Sequence, residues 1–178
     1  MKTKSTIKFI TLSSMILAFL LIGINAAVFA QVTATANATA TIVTPISITK
    51  TVDMNFGNVA VSGTSGGTVV LAPASTRTST GGVTLPSTTG TVTAASFTVN
   101  GTANYTYAIT LPSSSLTITS GSNTMSVTTF TSSPSATGTL DGTGAQTLNV
   151  GATLTVAAAQ AAGVYTSASP FSVTVNYN

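Results

Sequence analysis

The feature that most constrains this chain is an apolar residue at every second position, with threonine or serine between, recurring in segment after segment. Phe171, Val173, Val175 and Tyr177 alternate with Ser172, Thr174 and Asn176. A period of two puts one set of side chains on each face of an extended strand. Phe97 and Val99 repeat the pattern before Asn100-Gly101, and Tyr105, Tyr107, Ile109 and Leu111 repeat it before Pro112. Asn-Gly tolerates the positive φ angles of tight turns, so the spacing predicts a hairpin over 94–111. Further strands are expected over 46–56, 68–71, 115–119, 124–130, 146–150 and 153–156. Gly63, Gly66-Gly67, Gly81-Gly82, Gly121, Pro134 and Asp141-Gly142 supply turns between them. One short helical piece is expected over 157–162, where five alanines and Gln160 precede Gly163. No repeat of fixed period is present. Many short strands between frequent turns predict an all-β chain, an antiparallel β-sandwich.

The N-terminal thirty residues read differently. Lys2, Lys4 and Lys8 precede an apolar run over 9–24, and Val28-Phe29-Ala30 offers small or permissive residues before Gln31. This is the pattern of a cleaved secretory signal peptide over 1–30. Thr11, Ser13 and Ser14 interrupt the run, which falls short of the roughly 20 apolar residues that span hydrocarbon, so no transmembrane anchor is expected in the mature chain. Residues 31–178 suit a single domain. Export to the cell surface, the periplasm or the medium follows as an expectation.

Charge narrows the function. The formal net charge of +3 comes from five basic and two acidic residues. Three of the five leave with the leader, so Lys50 and Arg77 balance Asp53 and Asp141 and no affinity for nucleic acid is expected. Histidine and cysteine are absent. General acid–base catalysis, nucleophile activation and metal ligation draw on those residue types and on clustered carboxylates, so the chain is expected not to be an enzyme and to need no cofactor or metal. A chain without cysteine has neither disulfides nor an acylated N-terminal cysteine. Asp53 borders a strand pattern and Asp141-Gly142 reads as a turn, so the two are not expected to pair as catalytic carboxylates, nor to supply the six to eight oxygens that calcium commonly takes. Arg77 reads as a solvated loop cation, with a carboxylate or glycan contact as the functional alternative. Tyr105, Tyr107, Tyr165 and Tyr177 read as packing residues rather than a sugar-stacking platform. The triplets at Asn37, Asn100 and Asn104 read as chance glycosylation matches in a threonine-rich chain, and 85–90 as a loop.

Residues 32–42 stand apart. Val32, Ala34, Ala36, Ala38, Ala40 and Ile42 alternate with Thr33, Thr35, Asn37, Thr39 and Thr41, an eleven-residue strand pattern with a shallow apolar face. Two readings stay open for 31–43. It is the first strand of the domain's own sheet, or it is a donor strand that adds to a neighbouring subunit, where main-chain hydrogen bonds supply affinity and alternate side chains fill pockets.

A resemblance spans nearly the whole mature chain. Residues 38–48, Ala-Thr-Ala-Thr-Ile-Val-Thr-Pro-Ile-Ser-Ile, followed by Met54-Asn55-Phe56-Gly57, resemble the opening of an uncharacterised bacterial exported family, the domain-of-unknown-function family 4402. Arg77 before Gly81-Gly82, the stretches 95–101, 105–112 and 150–154, Gly163-Val164-Tyr165 and the closing run 171–177 look like landmarks of that family. The Met-x-Phe-Gly element and the C-terminal run are also similar to pilin subunits and spore-coat-U-like proteins, whose cysteines this chain lacks. That similarity implies an immunoglobulin-like sandwich and assembly by strand donation, and it carries over no catalytic or ligand residue.

Three functional classes remain from the sequence. The first is a secreted or cell-surface structural or adhesive subunit, partnered by itself or by related subunits. The second is a monomeric exported binding module. The third is a small outer-membrane barrel, against which stand the short strands and the scarcity of aromatic residues for interfacial girdles.

Overall fold

Strand-forming residues occupy alternate faces throughout, and the computed structural model, which describes residues 31–178, shows where those faces meet. The leader expected over 1–30 lies outside the described residues. The strands are β1 (Ser47–Val52), β2 (Ala60–Val61), β3 (Gly67–Leu71), β4 (Arg77–Gly81), β5 (Val83–Thr84), β6 (Ala95–Asn100), β7 (Thr106–Thr110), β8 (Leu116–Ser120), β9 (Asn123–Ser133), β10 (Thr137–Thr139), β11 (Ala145–Val156), β12 (Thr166–Ser167) and β13 (Thr174–Tyr177). Every pairing between them is antiparallel. No helix occurs among the described residues.

An eight-stranded sheet runs β1-β6-β11-β9-β8-β12, with β3 joined to β11 and β4 to β3. The twelve residues of β11 organise it. On one side, Ala145 to Val150 pair with β6 while Ala152 to Val156 pair with β3, so the sheet forks there. On the other side β9 follows β11, with a bulge that uses a left-handed φ of 49° at Thr129. The two strands expected over 146–150 and 153–156 are thus one. Gly151 sits at the fork, where a Cβ would lie 2.1 Å from the carbonyl oxygen of Leu71. Only glycine lets the two backbones approach this closely. A three-stranded sheet, β10-β7-β13, and a two-stranded one, β2-β5, complete the fold.

The hairpin expected over 94–111 is absent. β6 lies between β1 and β11 in the large sheet, and β7 lies between β10 and β13 in the small one. Residues 101–105 form a corner instead. The Gly101 N–H donates to the Gly144 carbonyl, the Asn104 N–H is shared by the carbonyls of Leu140 and Asp141, and Asn104 takes a φ of 63°. Asn-Gly marked a change of direction correctly, but the two apolar rows meet through the core rather than side by side in one ladder. The expected helix over 157–162 is a turn at Ala158-Ala159, with the Ala159 N–H donating to the Ser62 carbonyl. Six residues are too few to nucleate a helix without a packed face, and most of these are exposed.

Two apolar clusters form the core. The first brings Ala95, Phe97, Val99, Leu148 and Val150 of the large sheet against Tyr107 and Val175 of the small one, with Leu140 between. Phe171 crosses this cluster, its ring 6.4 Å from Phe97 and 5.0 Å from Phe130, geometries that favour aromatic pairs. The second gathers Val69, Val127, Ala152, Leu154 and Val156 of the large sheet over Val83 of β5. Met54 and Phe130 border both clusters, and β11 supplies residues to each. Each fully buried aliphatic side chain here contributes about 1.5–3 kcal/mol relative to exposure.

Candidate functional site

Each charged side chain among the described residues has a structural occupation. Lys50 Nζ lies 2.6 Å from Asp53 Oδ1, and both side chains are largely exposed, so the pair contributes at most about 1 kcal/mol. Asp141 Oδ1 accepts from the Thr143 hydroxyl at 2.7 Å, the Thr143 N–H at 2.8 Å and the Ala145 N–H at 3.0 Å. Those donors, the Thr143 hydroxyl first, hold the Asp141 carboxyl below its ordinary value. Asp53 and Asp141 are each engaged within their own segment. Among the described residues no group of three His, Cys, Asp or Glu residues could hold a metal ion.

Arg77 departs from its expected role. It opens β4, is half-buried, and donates from Nη1 to the carbonyl oxygens of Phe56 and, at 2.8 Å, of Asn58. A guanidinium offers several donors in a fixed fork, which suits it to clamp a loop by its carbonyls. The Met54-Asn55-Phe56-Gly57 element and Arg77 are therefore two halves of one contact. The signal in the sequence was their joint occurrence, and spacing along the chain gave no hint that they touch.

The tyrosines divide by depth. Tyr107 is fully buried, and its hydroxyl donates to Gln146 Oε1 at 2.8 Å, tying the small sheet to β11. Burial raises its phenol above the ordinary value. Its ring covers Gly138 on β10, where a Cβ would fall 2.3 Å from Tyr107 Cζ. Tyr177 accepts from the Thr102 N–H at 2.7 Å and donates to the Thr44 carbonyl at 2.8 Å. The Tyr165 hydroxyl donates to the Ala161 carbonyl at 2.7 Å and accepts from Gln160 Nε2. Tyr105, with 45% of its surface exposed, packs edge-on against Tyr177 at 5.6 Å.

The outward face of the large sheet is a lattice of hydroxyls. Register places Thr117, Ser126, Thr155, Thr68 and Thr80 in one row across β8, β9, β11, β3 and β4. Neighbouring strands stand about 4.8 Å apart, and Thr68 Oγ1 and Thr80 Oγ1 hydrogen-bond at 2.7 Å. The next row is Thr128, Thr153, Val70 and Thr78, and the other arm of the fork adds Thr147, Thr98 and Thr49. No charged side chain stands in these rows. A surface depression of about 380 Å³ between 111–116 and 170–172, floored by Leu111 and Phe171, also lacks ionisable groups.

Val32, Ala34, Ala36, Ala38, Ala40 and Ile42 are all exposed, Val32 and Ile42 by more than nine-tenths. Among the described residues, 31–46 join no ladder, and the first strand begins at Ser47. The reading of 31–43 as the domain's own first strand therefore finds no partner strand among the described residues. Alanine side chains bury little surface to offset the entropy of ordering a strand.

An all-β, antiparallel, cysteine-free chain with a neutral hydroxyl face is the class that fold and surface define. The chain belongs to the family described as Domain of unknown function (DUF4402), whose family model matches residues 46–177. Comparison with curated proteins gave no match, and comparison with solved structures gave none either.

Proposed function

We propose that this protein is an exported, non-enzymatic structural or adhesive subunit, immunoglobulin-like in its sandwich organisation, that assembles by strand exchange through residues 31–43. The observation that carries this reading is the pairing of an exposed, strand-patterned segment with a domain whose strands and apolar clusters all lie beyond it. An unpaired strand of neutral, alternating residues is an aggregation hazard unless a sheet edge receives it. The absence of catalytic groups in the sequence and the structural use of Lys50, Asp53, Arg77 and Asp141 favour the non-enzymatic part. Edges at β1, β4 and β12 that are free among the described residues, together with outward hydroxyls in place of a lipid-facing apolar band, weigh against an outer-membrane barrel.

The test is light scattering coupled to size exclusion on the mature chain beside a version lacking 31–43. Oligomers or fibres from the first and a folded monomer from the second are expected. A full-length chain that stays monomeric at all concentrations defeats the proposal.

A further inference from the structure

The sheet edges are unequally protected. Natural edges are blunted by charge, proline, bulges or shortness, because unpaired main-chain groups recruit other strands. β1 carries the exposed Lys50, ion-paired with Asp53, and a register shift between Lys50 and Val52, and Thr51 turns its hydroxyl onto the Ser96 carbonyl. β12 has two residues, β10 has three and follows Pro134, and β13 has four. β4 has five residues, pairs among the described residues with β3 on one side alone, and contains neither lysine nor proline nor a bulge. Its one charge, Arg77, is turned onto Phe56 and Asn58.

The phase of β4 is fixed at both ends. The Ala72 N–H donates to the Thr76 carbonyl and the Gly82 N–H to the Gly66 carbonyl. With the register Thr68↔Thr80 and Val70↔Thr78, the even-numbered residues of β4 face β3. The main-chain groups of Arg77 and Ser79 then point to the open side, and Gly81, at a left-handed φ of 66°, ends the extended stretch. Thr78 and Thr80 lie on the hydroxyl face, and Ser79 and Gly81 lie on the other. The strand thus alternates threonine with small residues, as does the exposed segment 33–41 with Asn37 at its centre in place of a threonine.

We infer that β4 is the acceptor edge, and that residues 33–41 of a second copy add to it. This rests on the strand-exchange reading above and names the surface that reading leaves open. The donor threonines stand beside Thr78 and Thr80, where cross-strand Thr–Thr pairs are favourable. The donor alanines lie beside Ser79 and Gly81, where no deep pocket needs filling. The row Thr117, Ser126, Thr155, Thr68, Thr80 gains one more hydroxyl from the second copy.

Two variants of the full mature chain test this. Ser79→Pro removes an N–H from the open side and none from the β3 ladder, a place where an edge strand tolerates proline. Thr78→Lys leaves the main chain intact and adds the kind of charge that blunts edges. Both should keep the wild-type thermal midpoint and weaken association by about tenfold or more, equivalent to about 1.4 kcal/mol, read by light scattering across a concentration series. If Ser79→Pro unfolds, Thr78→Lys decides alone. If both variants assemble like wild type while deletion of 31–43 abolishes assembly, strand exchange stands and β4 is the wrong acceptor. If the variants are monomeric but the deletion still assembles, β4 pairs with another β4 and the donor assignment is overturned. A monomeric wild type removes both the exchange reading and this one.

Discussion

β11 and the segment 32–42 are near twins in pattern and opposites in outcome. β11 spans twelve residues with Thr147, Thr153 and Thr155 on one face, and the segment spans eleven with Thr33, Thr35, Thr39 and Thr41 on one face. The difference lies in the other row. β11 turns Leu148, Val150, Ala152, Leu154 and Val156 into the core, all of them buried, whereas the segment offers four alanines between Val32 and Ile42. Alternation therefore sets which way side chains point, and the bulk of the inward row sets how much burial a strand gains by pairing. Ordering a residue costs about 1–2 kcal/mol of backbone entropy, which leucine and valine burial offsets and alanine burial does not.

The comparison can be broken most forcefully from the β11 side. Leu148→Ala makes its inward row resemble that of the segment, and it should lower unfolding stability by about 2–5 kcal/mol, read as a shift of the urea midpoint. An unchanged midpoint would mean that row bulk is not what holds β11. A smaller effect comes from the polar anchor in the same row. Tyr107→Phe leaves Gln146 Oε1 without its phenol donor and should cost about 1 kcal/mol by the same assay.

The start of β11 is expected to depend on pH. Asp141, whose carboxylate accepts the Ala145 N–H, titrates below its ordinary value of 3.8 in the folded chain. Its contribution is complete above that value and is lost as pH falls from there through the depressed folded value. Acid titration of wild type should show this decline, and Asp141→Asn should flatten it. If the two acid profiles coincide, the turn does not hold β11. The smallest effect is expected in the segment. Ala36→Ser should change the stability of the monomeric mature chain by less than about 0.5 kcal/mol, since Ala36 is exposed and joins no ladder among the described residues. A larger change by differential scanning calorimetry would reveal packing of the segment on its own domain.

These contrasts also explain what could be read from residues alone. β3, β6, β8, β9 and β11 were legible because their inward rows are large and apolar. β4, with the sequence Arg-Thr-Ser-Thr-Gly, and β10, with Thr-Gly-Thr, carry no apolar row. Their strand character comes from a neighbour's unpaired backbone, which no local pattern records. The 94–111 hairpin failed because period two fixes the face of a strand and leaves its lateral partner open, and here the corner at 101–105 sends β7 to another sheet. The clamp of Arg77 on Phe56 and Asn58 is a long-range contact between two legible motifs, and proximity is the part the sequence withheld.

The Tyr177 hydroxyl has a mechanical consequence. It grips the Thr102 N–H and the carbonyl of Thr44, the residue that follows 31–43 in the chain. Tension drawn along that segment reaches Thr44 before it reaches β1, so the C-terminal strand shares the load with the first. The phenol acts as a strain relief: force on Thr44 must break its bond to the Thr44 carbonyl, and the Thr44 N–H bond to Thr102 Oγ1, before it can peel β1 from β6.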